Sequence, residues 1–165
     1  MKQDNTVGSR LEKDLAYIAG FLDGDGSLML QIKKRKDGKR TYRFMPTICF
    51  YQDSRHDAPF RWIRKVLGIG YISKRNDGMT ELRLNGFSQI SIVLGKLMPY
   101  IRFKKNQAIA LQKAVTILNE SKYKTLGLKQ TKIIIDCILV IQSENYATKK
   151  KRSRDELFSL FNLTP

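Results

Sequence analysis

The chain has 165 residues, 42% of them hydrophobic, which is enough for one domain with a real core. Lys and Arg number 31 against 15 Asp and Glu, a formal net charge of +16 that favours a polyanionic partner, DNA or RNA first. A membrane surface is disfavoured by the lack of a basic amphipathic helix, and a membrane span by the lack of any apolar run near the roughly 18–20 residues required.

The N-terminal M-K-Q-D-N has no apolar signal core, so a soluble, non-secreted protein is expected, in a prokaryotic cytoplasm or an organelle matrix. Cys49 and Cys137 lie far apart in apolar segments and suggest neither a zinc site nor a disulfide. Ser9 and Glu12 match an S-x-x-E capping box, which predicts a first helix from near Arg10 to Asp23 or Gly24. Two strands follow, 27–36 and 41–51, with Asp37-Gly38 as the hairpin turn. In the first, Leu28, Leu30 and Ile32 share one face while Gln31, Lys33 and Arg35 share the other. A helix is predicted over 61–67, with Pro59 in its first turn, Asp57 or Ser54 as a cap, and Gly68 as its stop. A second hairpin takes 71–74 and 80–84 around Asn76-Asp77-Gly78, then a helix takes 88–97 before Pro99. Helices over about 104–121, 129–144 and 154–162 complete the chain.

The order helix, hairpin, helix, hairpin, helix predicts an α+β fold with one four-stranded antiparallel sheet, core about 9–121, and a helical tail about 122–165 in the same 1–165 domain. One sheet face would pack on helices while the other carries long polar side chains. The first hairpin alone, 28–43, holds seven bases and one acid, more than protection of a strand edge requires. The run Lys149 to Arg154 (K-K-K-R-S-R) is assigned no specific role and is best explained as a solvated linker or a nonspecific phosphate contact.

The most informative string is I-A-G-F-L-D-G-D-G-S at Ile18–Ser27. It sets Asp23 and Asp25 at the C-terminal end of a helix, where the backbone dipole already places negative charge, and a bound cation would relieve the conflict. An EF-hand is ruled out by Leu28 in its glycine position and Lys34 in its glutamate position. Ala16, Gly20 and Gly24 recur every four residues, a stripe that, with Leu15, Ile18, Ala19 and Leu22 around it, could pack closely within its own core or against a copy of itself. A two-fold copy would bring two Asp25 carboxylates together, and paired hard oxygens favour Mg²⁺ or Ca²⁺.

Gly20–Gly26 resembles the end of the signature helix in the LAGLIDADG homing endonucleases, and the element order extends that resemblance over most of the chain. It implies an αββαββα fold whose sheet lies along the DNA major groove. One motif copy implies a homodimer with a pseudo-palindromic target, its signature helices packed at the centre; Leu15, Ala16, Ile18, Ala19, Gly20, Leu22 and Asp23 are the expected interface. Asp25 matches the family's metal-binding acid, with the Gly24 carbonyl beside it. Gln52, sixteen residues before Gly68, resembles the glutamine that positions water, and Lys104 the base near the scissile phosphate. Arg55 and His56 compete for the role of a further basic residue. Taken alone, Gln52, Lys104 and His56 have ordinary explanations as a strand-end amide, a helix-start base and a loop residue.

The implied chemistry is in-line hydrolysis of a phosphodiester with Mg²⁺, Mn²⁺ as a substitute, and Ca²⁺ binding without efficient cleavage. Base readout is expected from Gln31, Lys33, Arg35, Arg43, Tyr71, Ser73, Arg75, Glu81, Arg83 and Asn85, with Met45, Thr47 and Cys49 as apolar contacts. Lys34, Lys36 and Lys74 are expected on phosphates. The expected function is intron homing by double-strand cleavage. The alternatives are a maturase that binds intron RNA and a non-cleaving DNA-binding regulator on the same fold.

Overall fold

Apolar residues at helical spacing form α1 (Thr6–Asp25), and strand alternation begins at the next residue with β1 (Gly26–Lys34). The computed structural model describes residues 6–35, 42–121, 126–146 and 150–164. β2 (Tyr42–Asp53) leads through a single 3-10 turn to α2 (Pro59–Leu67), and β3 (Tyr71–Lys74) and β4 (Met79–Asn85) make the second hairpin. Four helices follow: α3 (Phe87–Leu97), α4 (Lys105–Glu120), α5 (Leu128–Glu144) and α6 (Arg154–Leu160). The Asp37-Gly38 turn, with Lys36, lies outside the described residues.

The strands form one sheet in the order β1-β2-β4-β3, every neighbouring pair antiparallel. Register sets the two faces. Leu28, Ile48 and Leu84 lie in one row across three strands, and Phe50, Leu82 and Ile72 in another. All but the half-buried Ile72 are fully buried beneath the helices. Ile18, Ala19 and Leu22 of α1 and Ile90, Leu94 and Leu97 of α3 complete this core. The tail belongs to it as well: Ile134, Ile135 and Ile138 of α5 and Leu157 and Phe158 of α6 join the same buried cluster, and Phe161 stacks on Phe44 of β2 at 5.0 Å.

Two terminus signals behave differently from expectation. α1 starts at Thr6, so Ser9 and Glu12 sit inside the helix; a capping box contributes only about 1 kcal/mol and does not stop a helix that no proline interrupts. Neither Ser54 nor Asp57 caps α2, whose cap is Ala58 without a side-chain bond. Thr80 takes both instead. Its hydroxyl donates to Asp57 Oδ2 at 2.8 Å and accepts from Ser54 at 2.8 Å, pinning the chain after β2 to β4. Pro59 starts α2 and Gly68 ends it in the left-handed conformation, as the sequence indicates.

The passage from α1 into β1 requires glycine at position 26. A Cβ there would lie 2.7 Å from the Leu22 carbonyl oxygen and 2.8 Å from its Cα, backbone atoms that cannot swing aside. Gly26→Ala is expected to cost about 1–3 kcal/mol, the range for overpacking, measured by urea denaturation. Unchanged stability would show that the junction is looser than its geometry.

Candidate active site and nucleic-acid interface

Asp23 and Asp25 meet the same unfavourable helix end in different ways. The Asp23 side chain is 9% exposed and turns toward the start of α4, where it accepts backbone N–H bonds from Arg102 at 2.6 Å, Phe103 at 3.2 Å and Lys104 at 3.0 Å. In return the Lys104 ammonium donates to the backbone carbonyl of Asp23. The acid of α1 thereby satisfies the positive end of α4, and the base of α4 satisfies the negative end of α1. Partial burial lowers the Lys104 pKa, against the opposing pull of Asp23 and Asp25. Asp25 remains exposed.

Beside Asp25 is an open cleft of about 390 Å³. Gly24, Asp25, Gln52 and Lys104 all line it, so the motif, the end of β2 and the start of α4 converge although they are distant in sequence. Gln52 is oriented by its own backbone, accepting from Asp53 N at 2.9 Å. Arg55 and His56 sit in the 3-10 turn after β2 and do not line the cleft. The Arg55 guanidinium folds back on Asp53 at 2.8 Å and holds that carboxyl well below the usual carboxylate range. With 80% of the Arg55 side chain exposed, the pair is screened and readily opened. His56 is exposed.

Ser27, Tyr51 and Met79 complete the sheet side of the cleft and were not anticipated from sequence. Tyr51 was within reach of strand alternation, being the next residue in the series Arg43, Met45, Thr47, Cys49. Burial and the neighbouring Cys49 raise its pKa to about 12, so its hydroxyl keeps its proton at neutral pH. Asn145 and Tyr146, beyond the end of α5, also line the cleft, and only the tertiary fold brings them there.

The outward sheet face carries the predicted readers in rows. Lys33 pairs in register with Arg43, Gln31 with Met45, and Cys49 with Arg83, which in turn faces Tyr71. Lys33, Arg35, Arg43 and Tyr71 are exposed, as is Asn85. Near the cleft the face is bonded to itself. Arg83 makes two 3.2 Å bonds to Glu81, Ser73 donates to Glu81 at 3.3 Å, and Arg75 pairs with Asp77 at 2.7 Å. Partial burial would raise the Glu81 carboxyl, but Arg83 and Ser73 outweigh it and hold the pKa low. Thr47 and Cys49 do not offer the contact surface expected of them. Both are fully buried, Thr47 donating to Asn85 at 2.8 Å and Cys49 lying under Glu81 at 3.8 Å.

The expected interface on α1 also needs correction. Leu15, Ile18, Ala19, Leu22 and Asp23 are all buried within the protomer, because the sheet and neighbouring helices cover that side of α1. Ala16 is half-buried, while Gly20 and Gly24 are exposed with nothing within 4 Å of where a Cβ would stand. The open stripe is therefore narrower than the apolar pattern suggests.

A family model described as LAGLIDADG endonuclease matches residues 18–118, more than half of the chain. The chain belongs to the LAGLIDADG endonuclease family. Among relatives, DNA endonuclease I-CvuI of Chlorella vulgaris is 34% identical over 107 residues, 65% of this chain and 66% of the relative. DNA endonuclease I-CreI of Chlamydomonas reinhardtii is 30% identical over 112 residues, 66% of each chain. The chain thus spans just under two thirds of the length of these relatives by sequence. The solved structure of I-CvuI in complex with its target in the presence of calcium superposes with a TM-score of 0.79 at 24% identity, covering 93% of this chain and 96% of that one. I-CvuI has also been solved on the I-CreI target in the presence of magnesium, with the DNA not cleaved. At this identity the superposition establishes the fold over 93% of the chain.

Within the LAGLIDADG motif of this chain the first acid is a clamp and the second is exposed in the cleft. Removing the clamp leaves three N–H groups without their acceptor, so Asp23→Ala is expected to destabilise the protein by about 3 kcal/mol. Chemical denaturation checks this; a loss below about 1 kcal/mol would mean the loop at 102–104 is satisfied some other way.

Proposed function

We propose that the chain is a homodimeric, Mg²⁺-dependent, sequence-specific endonuclease that cuts both strands of a long pseudo-palindromic DNA site in intron homing. The observation that carries this reading is the cleft where an exposed motif carboxylate, a strand-end amide and a half-buried lysine meet beside a cationic sheet face. The sequence identity to I-CvuI and I-CreI supports DNA as the substrate.

Among the described residues no group of three or more His, Cys, Asp or Glu side chains converges. One protomer therefore offers a divalent ion the Asp25 carboxylate and the Gly24 carbonyl. These hard oxygen donors fit Mg²⁺, which commonly completes its shell with water and phosphate oxygens. A bound ion would supply activation of water and neutralisation of phosphate charge. The magnesium and calcium used with I-CvuI support such a site.

The protein's own groups do the rest. Lys104, held by the carbonyl of Asp23, presents positive charge where negative charge develops on the phosphate. Gln52 orients water through an amide that does not titrate. Arg55, released from Asp53, or His56 meets a phosphate from the turn above. Dimerisation through the Gly20–Gly24 stripe brings the second Asp25 and supplies the second strand's cut, each half-site being read by one sheet.

Cleavage of a randomised duplex library with Mg²⁺, Ca²⁺ or EDTA, followed by sequencing of the cut ends, is the direct test. A single long near-palindromic site cut with Mg²⁺ alone is expected, and Asp25→Asn is expected to abolish cutting while DNA affinity stays largely intact. Retained cutting would remove Asp25 from the site, and no cutting by the unaltered protein would shift the function to intron-RNA or regulatory binding. Sedimentation of the free protein is expected to give about twice the chain mass of 19.1 kDa. A monomer would overturn the role of the glycine stripe.

A further inference from the structure

The cleft has a wall that the motif does not supply. Asn145 and Tyr146 line it together with Asp25, Gln52 and Lys104, and they lie beyond residue 118 where the family match ends. Tyr146 is 93% exposed, so packing within its own chain does not explain an aromatic ring at this place.

The wall is held in place from α4. Gln107 Nε2 donates to Asn145 Oδ1 at 3.1 Å, and Asn106 Nδ2 donates to Glu144 Oε1 at 3.2 Å. Both donors lie in the first turn of α4, directly after Lys104. Gln107 is 3% exposed, and among the described residues its amide oxygen has no hydrogen-bond partner, while its amide nitrogen donates to Asn145. Burying an amide is costly without such a bond, so Gln107 and Asn145 hold each other. One helix start therefore places the lysine of the cleft and also holds Glu144 and Asn145, the residues that lead into Tyr146.

We propose that Tyr146 is a substrate-contacting residue of the active site, its ring laid against the sugar-phosphate backbone of the strand being cut. Gln107 is the positioning residue that holds it there through Asn145. Tyrosine suits this position because its flat apolar face covers a deoxyribose, its hydroxyl donates to a phosphate oxygen, and it has few rotamers to freeze. The contact keeps the phosphate over Asp25 and so acts on the cutting step more than on DNA affinity. This assignment rests on the endonuclease reading.

The test is single-turnover cleavage of the target duplex by the full-length protein at saturating enzyme, with DNA affinity measured separately in Ca²⁺. Tyr146→Ala is expected to slow cutting about tenfold, the scale of a modest misplacement of the reacting group. Its affinity should stay within about threefold of the unaltered protein, a loss confined to the cutting step. Tyr146→Phe should fall between the two and divide ring from hydroxyl. Gln107→Leu keeps the volume, should reproduce the loss, and combined with Tyr146→Ala should lose no more than either alone. Wild-type cutting by Tyr146→Ala, or a loss confined to affinity, would overturn the assignment of Tyr146. Losses that multiply in the double variant would overturn the positioning role of Gln107. Failure of the unaltered protein to cut any duplex would instead overturn the endonuclease reading, and the assignment with it.

Discussion

The mutual capping of α1 and α4 is the constraint on which the rest of this molecule depends. Two carboxylates at a helix C-terminus face the negative end of the dipole. The chain relieves one of them by bringing in the opposite end of another helix: Asp23 closes the start of α4, and Lys104 closes the end of α1. The exchange is reciprocal: three backbone N–H groups before α4 find an acceptor, and the Asp23 carbonyl at the end of α1 finds a donor. It also fixes where α4 begins, and therefore where Lys104 and Gln107 stand. The acid left over, Asp25, is the one with room for a ligand.

The sheet inherits its placement from the same junction. β1 starts immediately after Asp25, at a glycine wedged against Leu22, so the first strand leaves the motif with no slack. Register then carries that placement to β2, whose last residues deliver Gln52 to the cleft, and to β4, which anchors the following turn through Thr80. The charge-rich outward face and the cleft are thus consecutive parts of one continuous backbone path.

Much of this was legible in the sequence because it is written in local periodicity. Alternation at 28–33 and helical spacing at 90–97 identify elements and core faces correctly, and Asp25, Gln52 and Lys104 do converge. What could not be read depends on partners remote in sequence. Ser54 and Asp57 look like helix caps until Thr80 is placed beside them. Thr47 and Cys49 have the parity of base readers, but burial by β4 side chains overrides parity. The apolar residues of α1 suit a dimer seam or a core equally well, and packing assigns four of the six to the core: Leu15, Ile18, Ala19 and Leu22. Asn145 and Tyr146 carried no signal at all, since their place depends on a bond from a helix begun forty residues earlier.

Under the proposed function, the bonding of the outward face bears on how this protein could change its target over evolutionary time. Glu81 holds Arg83 and Ser73 and covers Cys49, residues drawn from three strands. Replacing any one of them leaves the others with a broken bond or an uncompensated charge, so drift at this end of the face must pass through intermediates that are impaired, or move by concerted change. Lys33 and Arg43 are exposed, and among the described residues they are paired by register alone. New sequence preferences should therefore accumulate first at the outer end of the β1-β2 hairpin, with the positions nearest the cleft the slowest to diverge.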